Sequence, residues 1–328
     1  MTGVPNHDGS RHAAVPPLTG VIYNPRSHRN MGRELDAQDR GVIVARPGHR
    51  DELRVALEDF ARRGVELLVI NGGDGTVRDV LTCGMGAFAG AWPRIAVLPK
   101  GKTNALNVDL GAPADWAIAD AIDAAQDGRE ARRRPLMVRS VDDADEEADL
   151  VGFVMGAGAI ATGIHAGQDA HKMGAFNSLA VGVTAAWGVI QLVFGSNRNV
   201  WRRGVPMRVL VGPERRELPH AKTGDPARRN LLLASTLERF PFGMRPFGDR
   251  REGLKLAVMD APLRKVVAAI PMVAAGWQSD WLTRNGVHRA TIEEAELTLG
   301  GPFVLDGETF PPGRYLLRQG PELRFVVP

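Results

Sequence analysis

Hydrophobic positions in the first 130 residues switch repeatedly between a strand-like and a helix-like pattern. Gly20 to Tyr23 is a short apolar run stopped by Asn24-Pro25, where the proline turns its predecessor away from helix. Val42 to Val44 reads as a second strand. Between His49 and Arg63, Leu53, Ala56, Leu57 and Phe60 recur at helical spacing, and Gly64 stands where a left-handed C-cap belongs. Val65 to Ile70 is apolar throughout except for Glu66, the texture of a parallel strand covered on both faces. A helix over Thr76 to Met85 and a strand over Ile95 to Leu98 follow. Helix resumes at Asn104 to Leu110, breaks at Gly111-Ala112-Pro113, and continues from Ala114 to Gln126.

This alternation predicts an open α/β sheet. Beyond Arg132-Arg133-Arg134-Pro135 the texture changes to short strand-like pieces separated by turn residues, among them Gly152 to Met155, Met207 to Val211, Leu231 to Ala234 and Leu254 to Met259. Two domains are therefore expected, an N-terminal α/β domain and a C-terminal β-rich, sandwich-like one. The expected division is a polar tail at residues 1–17, a first domain of 18–134 completed by 315–328, and a second of 135–314. The acidic run from Asp142 to Asp149 reads as a solvated loop. The apolar run from Leu179 to Phe194 is interrupted by Gly182, Gly188 and Gln191 and is short for a bilayer span, so it reads as a buried helix or a pocket wall.

Composition narrows the choices. The chain has 328 residues, 44% hydrophobic and 24% charged, which suits a globular protein rather than a disordered one. A single cysteine, Cys83, excludes an intrachain disulfide and fits a reducing cytoplasm. The net charge of +3 is too small to argue for nucleic acid. Arginine doublets such as Arg202-Arg203 and Arg250-Arg251 read either as solvated surface or as attraction to anionic lipid headgroups.

Three turns carry the candidate chemistry. Asn71-Gly72-Gly73-Asp74-Gly75-Thr76 follows a buried strand and opens a helix. Its glycines let the backbone approach a ligand, and the helix N-terminus offers free amide N–H groups to phosphate. Thr76 either caps that helix or meets a phosphate oxygen, whereas Asp74 has no evident part in the turn. Leu98-Pro99-Lys100-Gly101-Lys102-Thr103-Asn104 also joins a strand to a helix. Two such loops on neighbouring parallel strands would lie side by side where open α/β sheets bind ligands. Far downstream, Asp306-Gly307-Glu308 follows the apolar Phe303-Val304-Leu305; it is either a plain Asp-Gly hairpin or a pair of catalytic carboxylates.

Together, Gly72 to Thr76, the Pro99-Lys100-Gly101 loop with Asn104, and Asp306-Gly307-Glu308 resemble the diacylglycerol kinase catalytic-domain family, which includes bacterial diacylglycerol kinases, sphingosine kinases and ceramide kinases. Asn24-Pro25-Arg26-Ser27 and Gly156-Ala157-Gly158 add to the likeness, which spans roughly residues 19 to 327. The resemblance implies a phosphofructokinase-like nucleotide domain, a β-rich lipid domain, ATP in the cleft between them, and a last strand around Arg314 to Val327 returning to the first domain. It implies nucleotide binding by Asn24, Gly72, Gly73, Asp74, Gly75, Thr76, Gly101, Lys102, Thr103 and Asn104. It makes Asp306, Glu308 and Asp74 the catalytic carboxylates, with Mg on Asp74 and Glu308. Asp306 is the expected base, with Asp74 as the other choice for that part. A lipid substrate, contact with a membrane surface from the cytoplasm and no nucleic-acid partner complete the expectation, which leaves the oligomeric state open, a homodimer among the choices.

Some positions depart from the family pattern. Lys102 replaces a threonine, with Thr103 after it; Arg78 and Asp79 replace an Asn and a Glu; Glu252-Gly253 replaces an Asp-Gly whose glycine helps hold a metal-linked network. These departures keep two other readings open, a kinase acting on NAD and a non-catalytic nucleotide or lipid sensor.

Overall fold

The structure, a computed structural model, describes residues 16–32, 35, 41–142, 149–163, 203–221 and 224–328. The apolar run from Leu179 to Phe194 and most of the acidic run lie outside the described residues. In the first lobe the chain forms β1 (Thr19–Tyr23), β2 (Ile43–Ala45), α1 (Arg50–Arg62), β3 (Leu67–Gly72), α2 (Asp74–Phe88), β4 (Arg94–Pro99), α3 (Ala105–Leu110), α4 (Ile118–Gln126) and β5 (Glu130–Arg133). The second lobe begins with β6 (Leu136–Ser140), β7 (Leu150–Gly152), β8 (Val154–Gly158), β9 (Val205–Val211), β10 (Arg216–Glu217), β11 (Arg228–Arg229), β12 (Leu231–Ser235) and β13 (Leu254–Met259). It continues through α5 (Arg264–Ala268), α6 (Ile270–Ala274), α7 (Asp280–Arg284), β14 (Val287–Ile292), β15 (Glu294–Leu299), β16 (Phe303–Leu305), β17 (Glu308–Phe310) and β18 (Gly313–Gln319). A last strand, β19 (Leu323–Val326), follows.

The first sheet runs β2-β1-β3-β4-β19-β5, parallel except for β5. Its central strands are buried on both faces, which explains the unbroken apolar run of β3. One face carries Leu57, Phe60, Val80 and Leu81 of α1 and α2. The other carries Ile118, Ala121 and Ile122 of α4. Gly20 lies under Phe60, close enough that a Cβ would stand 2.7 Å from the ring. Helix α1 ends at Gly64 with φ +70°, the left-handed stop its sequence position suggests.

The second lobe is a sandwich of two antiparallel sheets, β10-β9-β15-β18-β6-β7 and β14-β13-β12-β8-β16-β17. Val138, Val209, Leu297 and Leu317 of one sheet meet Met155, Leu232, Leu256 and Phe303 of the other in a shared core. Two sequence expectations change here. The stretch from Gly152 to Met155 is two strands, β7 and β8, broken at Phe153. The segment from 314 onward is also two strands. Gly313–Gln319 pairs with β15 and β6 in the sandwich, and the return to the first sheet starts only at Leu323, beyond Gly320-Pro321. Residues 315–319, expected in the first domain, therefore lie in the second. Among the described residues no helix is long and apolar enough to cross a membrane.

Candidate functional site

The carboxyl ends of β1, β3 and β4 bring three loops together. The amide of Asn24 donates to the carbonyl of Asn71 (3.0 Å), and Arg29 N–H donates to the carbonyl of Lys100 (3.1 Å). Asn30, which is buried, spans the first two loops by donating through Nδ2 to Asn24 O and Asn71 Oδ1, both at 2.9 Å. Asn24 Nδ2 donates to Thr76 Oγ1 at 2.8 Å, which fixes the hydroxyl at the start of α2. Gly73 and Gly101 touch through their backbones: a Cβ on Gly73 would stand 2.9 Å from Gly101 Cα. Only glycine allows the two loops this close.

Asn104 holds the second loop in shape. It adopts the left-handed conformation (φ 51°), which asparagine tolerates better than most residues. Its Oδ1 accepts from Gly101 N–H (2.7 Å) and its Nδ2 donates to Gly101 O (3.1 Å). The side chain thus clamps its own turn. Lys102 and Thr103 are exposed on that turn, and Lys102 lines the cleft.

Asp74 is not a loop residue but the first residue of α2, so the helix begins two positions before the sequence expectation. Its carboxylate accepts the amides of Asn104 (3.0 Å) and Ala105 (2.9 Å), capping α3. This is the structural task that the sequence hides. Burial pushes the Asp74 carboxyl above its ordinary range, opposed by those two amides. Gly73, the N-cap of α2, brings no side-chain cap, so the first-turn amides face the cleft without one.

Asp306 reaches this point from the other lobe. It and Gly307 form the two-residue turn between β16 and β17, with φ of 44° and 86°, as the mirror-image hairpin turn requires. The carboxylate lies against the break between β7 and β8, accepting Phe153 N–H and Val154 N–H, each at 2.9 Å. Gly152 makes room for it; a Cβ there would stand 2.5 Å from Asp306 Oδ2. Burial, reinforced by the nearby Asp74 carboxylate, pushes Asp306 up to about 7, against the pull of those amides and of Arg78.

Glu308 has different neighbours. Its Oε2 pairs with Arg78 Nη2 and lies 3.3 Å from Arg50 Nη2. Arg78 and Arg50 also each lie 3.0 Å from Asp79 Oδ1. Arg78 is 4% exposed, donates to the carbonyl of Leu305 (3.3 Å) and sits over the ring of Phe310. The departures at positions 78 and 79 therefore form one ionic clamp with Glu308, tying α1 and α2 to β17. A second tie lies behind α3. Buried Asp109 accepts from Arg133 Nε (2.6 Å) and from the amides of Glu238 (2.9 Å) and Arg239 (2.7 Å).

The cleft over the start of α2 has a volume of about 460 Å³ and is lined by Asn24, Arg26, Gly73, Gly75, Arg78 and Lys102, among others, a lining that does not include Asp74, Asp306 or Glu308. A neighbouring hollow of about 280 Å³ shares Asn24, Arg26, Thr76 and Asp79 and extends over Tyr23, Gly48 and Leu53. The glycine contact and the uncapped amides suit a polyphosphate. For a cation, no group of three or more His, Cys, Asp or Glu stands together among the described residues. Both oxygens of Asp74 already accept backbone amides, so a Mg ion there would share them and take its remaining ligands from phosphate and water, and Glu308 would reach one only by leaving its arginines. At Gly253, where Glu252 departs from the family pattern, fully buried Lys255 folds back, its Nζ donating to the carbonyls of Arg251 (2.7 Å) and Gly253 (3.0 Å). Burial pushes this ammonium down to about 8.

Comparison with known proteins adds the following. Residues 19–138 match the family described as the diacylglycerol kinase catalytic domain. No curated protein matches the chain by sequence. Among solved structures, one from Bacillus anthracis str. Sterne, named provisionally as a diacylglycerol kinase, has a TM-score of 0.65 at 14% identity, covering 95% of this chain and 98% of its own. A second from that organism, described as a diacylglycerol kinase, has a TM-score of 0.58 at 12% identity, covering 95% and 97%. At such identities the structures establish a common fold. The chain thus resembles the diacylglycerol kinase catalytic-domain family, by sequence over residues 19–138 and by its two-lobed fold over 95% of its length.

Proposed function

We propose that this chain is a kinase that transfers the terminal phosphoryl group of ATP, with Mg, to the hydroxyl of a lipid. The observation that carries the reading is that the turn bearing Asp306 is tied to the start of α2: Asp306 lies within electrostatic reach of Asp74, and Arg78, which lines the cleft with Gly73, Gly75 and Gly101, donates to the carbonyl of Leu305. Phosphoryl transfer asks a protein mainly for positioning and charge neutralisation. The first-turn amides of α2 would hold phosphate oxygens, with Lys102 and Arg78 adding positive charge at the cleft wall. Asp74 would hold the metal, which supplies charge neutralisation to the phosphates when bound. Asp306, held at about 7, would take the proton of the attacking hydroxyl; a base with that affinity is matched to neutral pH. Glu308 would act indirectly, by fixing the arginines and the β16–β17 turn.

The test is incubation of the full chain with radiolabelled ATP, Mg and separated lipid classes, followed by identification of the labelled product. NAD serves as a parallel acceptor. Label appearing in a lipid and disappearing with Asp306→Asn supports the reading. Label in NAD alone, or ATP binding without transfer to any acceptor, overturns it.

A further inference from the structure

We propose that the surface formed by the loop around Phe242 and the segment from Ile270 to Trp281 is a docking face for anionic membranes. Among the described residues eight large apolar side chains are exposed, and four of them are Phe242, Met244, Met272 and Trp277. They belong to one piece of surface. Arg245 N–H donates to the carbonyl of Ala274 (2.7 Å), Gln278 bonds to both Asp249 and Arg250, and Gly276 lies against the side chain of Arg245.

Phe242 marks the tip. It is 99% exposed and has φ 58°, a left-handed conformation that a bulky residue rarely adopts. A phenylalanine held there in water, with strain and no burial, serves the fold poorly; inserted among lipid headgroups, its ring is buried. Trp277, stacked on Trp281 at 5.9 Å, is the side chain most suited to a membrane–water boundary.

Charge selects the occupant. Residues 239–251 and 261–284 carry seven basic side chains and two acidic ones, a net +5, while the whole chain is only +3. The remainder of the chain is thus slightly acidic, and the two segments that bear the apolar tips hold the excess of positive charge. Cations rimming exposed aromatic groups match an anionic bilayer, where each contributes attraction that salt weakens. The face also lies near the candidate site. Phe153, whose amide holds Asp306, accepts at its carbonyl from Ser235 Oγ and Thr236 N–H, and Phe242 is only six residues beyond Thr236. Six residues span at most about 20 Å, so a bilayer gripping Phe242 would hold its lipids close to that carboxylate.

This inference deepens the lipid-kinase reading, but its test needs no turnover. The full chain is sedimented with phosphatidylcholine vesicles and with vesicles containing one-third phosphatidylglycerol, without nucleotide. Binding to the anionic vesicles, reduced about tenfold by Phe242→Asn and about tenfold or more by Arg251→Glu with Arg264→Glu, is the expected result. Asparagine suits the left-handed turn, so the first variant keeps its fold; thermal denaturation checks both. Equal binding by wild type and variants, or no anionic preference, overturns the proposal. So does a dimer in light scattering that Phe242→Asn converts to monomer, because the face would then belong to a second copy. Vesicle binding without lipid phosphorylation would sink the kinase reading and leave the docking face standing.

Discussion

Replacing Asp306 with asparagine removes one buried charge while keeping the side-chain shape and a turn sequence, Asn-Gly, that favours the same hairpin. An unfolded aspartate loses its proton near pH 4, whereas folded Asp306 keeps its proton until about pH 7. Over that window the unfolded state sheds a proton that the folded state retains, so ionisation progressively favours unfolding as pH rises. The loss is about 1.4 kcal/mol per pH unit, or about 2.7 kcal/mol between pH 5 and pH 7, and it levels off above 7. The asparagine variant has no such term. It loses one of the two amide bonds from Phe153 and Val154, a penalty of about 1 to 3 kcal/mol that does not vary with pH. Urea unfolding at pH 5, 6, 7 and 8 should therefore show the variant gaining on wild type by about 2 to 3 kcal/mol from the lowest pH to the highest. Over the same range, wild-type kcat/KM should rise through an inflection near 7, and the variant should lose about 100-fold or more of the turnover. A stability difference that stays flat with pH would refute the argument that burial and Asp74 raise this carboxyl. Near-normal turnover by the variant would move the role of base to Asp74.

Three further outcomes are expected. Gly152→Ala should push the Asp306 carboxylate out of its place and lower kcat about 100-fold while leaving the affinity for a fluorescent ATP analogue unchanged, as a displaced base would. Glu308→Gln should cost about 1 to 2 kcal/mol in urea unfolding, because Arg78 is buried but keeps Asp79 while Glu308 itself is half-exposed; no measurable loss would mean that the clamp does not hold the lobes together. Lys102→Met should raise the KM for ATP about tenfold without moving the melting temperature, and an unchanged KM would place its ammonium away from the phosphates.

The parts of the fold written in local periodicity were legible in the sequence. The β3 run and the α1 stripe ending at Gly64 correspond to elements within one or two residues of the expected ones, because their burial is set by neighbours along the chain. What escaped depends on distant partners. Asp74 reads as idle in its own turn because it caps another helix, through Asn104 and Ala105. Phe153 looks like the middle of one strand because nothing local reports that its amide turns toward Asp306. Arg78 and Asp79 looked like isolated departures and Glu308 like a catalytic carboxylate, and the three form one ionic cluster once α2 and β17 meet. Glu252-Gly253 gave no sign that Lys255 would curl back onto the backbone carbonyls beside it.

The position of β19 between β4 and β5 has a consequence for biosynthesis. When the ribosome has delivered β5, the slot beside it is still empty, and Leu323 and Phe325, which fill it, have yet to be made. At about 5 to 20 residues per second, the wait from residue 133 to residue 323 is about 10 to 40 s. Throughout that interval the nascent first sheet carries an open strand edge at Ile95 and Val97, the kind of edge to which other chains adhere. Residues 18–134 produced alone would stay in that condition permanently, so an isolated fragment should precipitate where the whole chain remains dispersed.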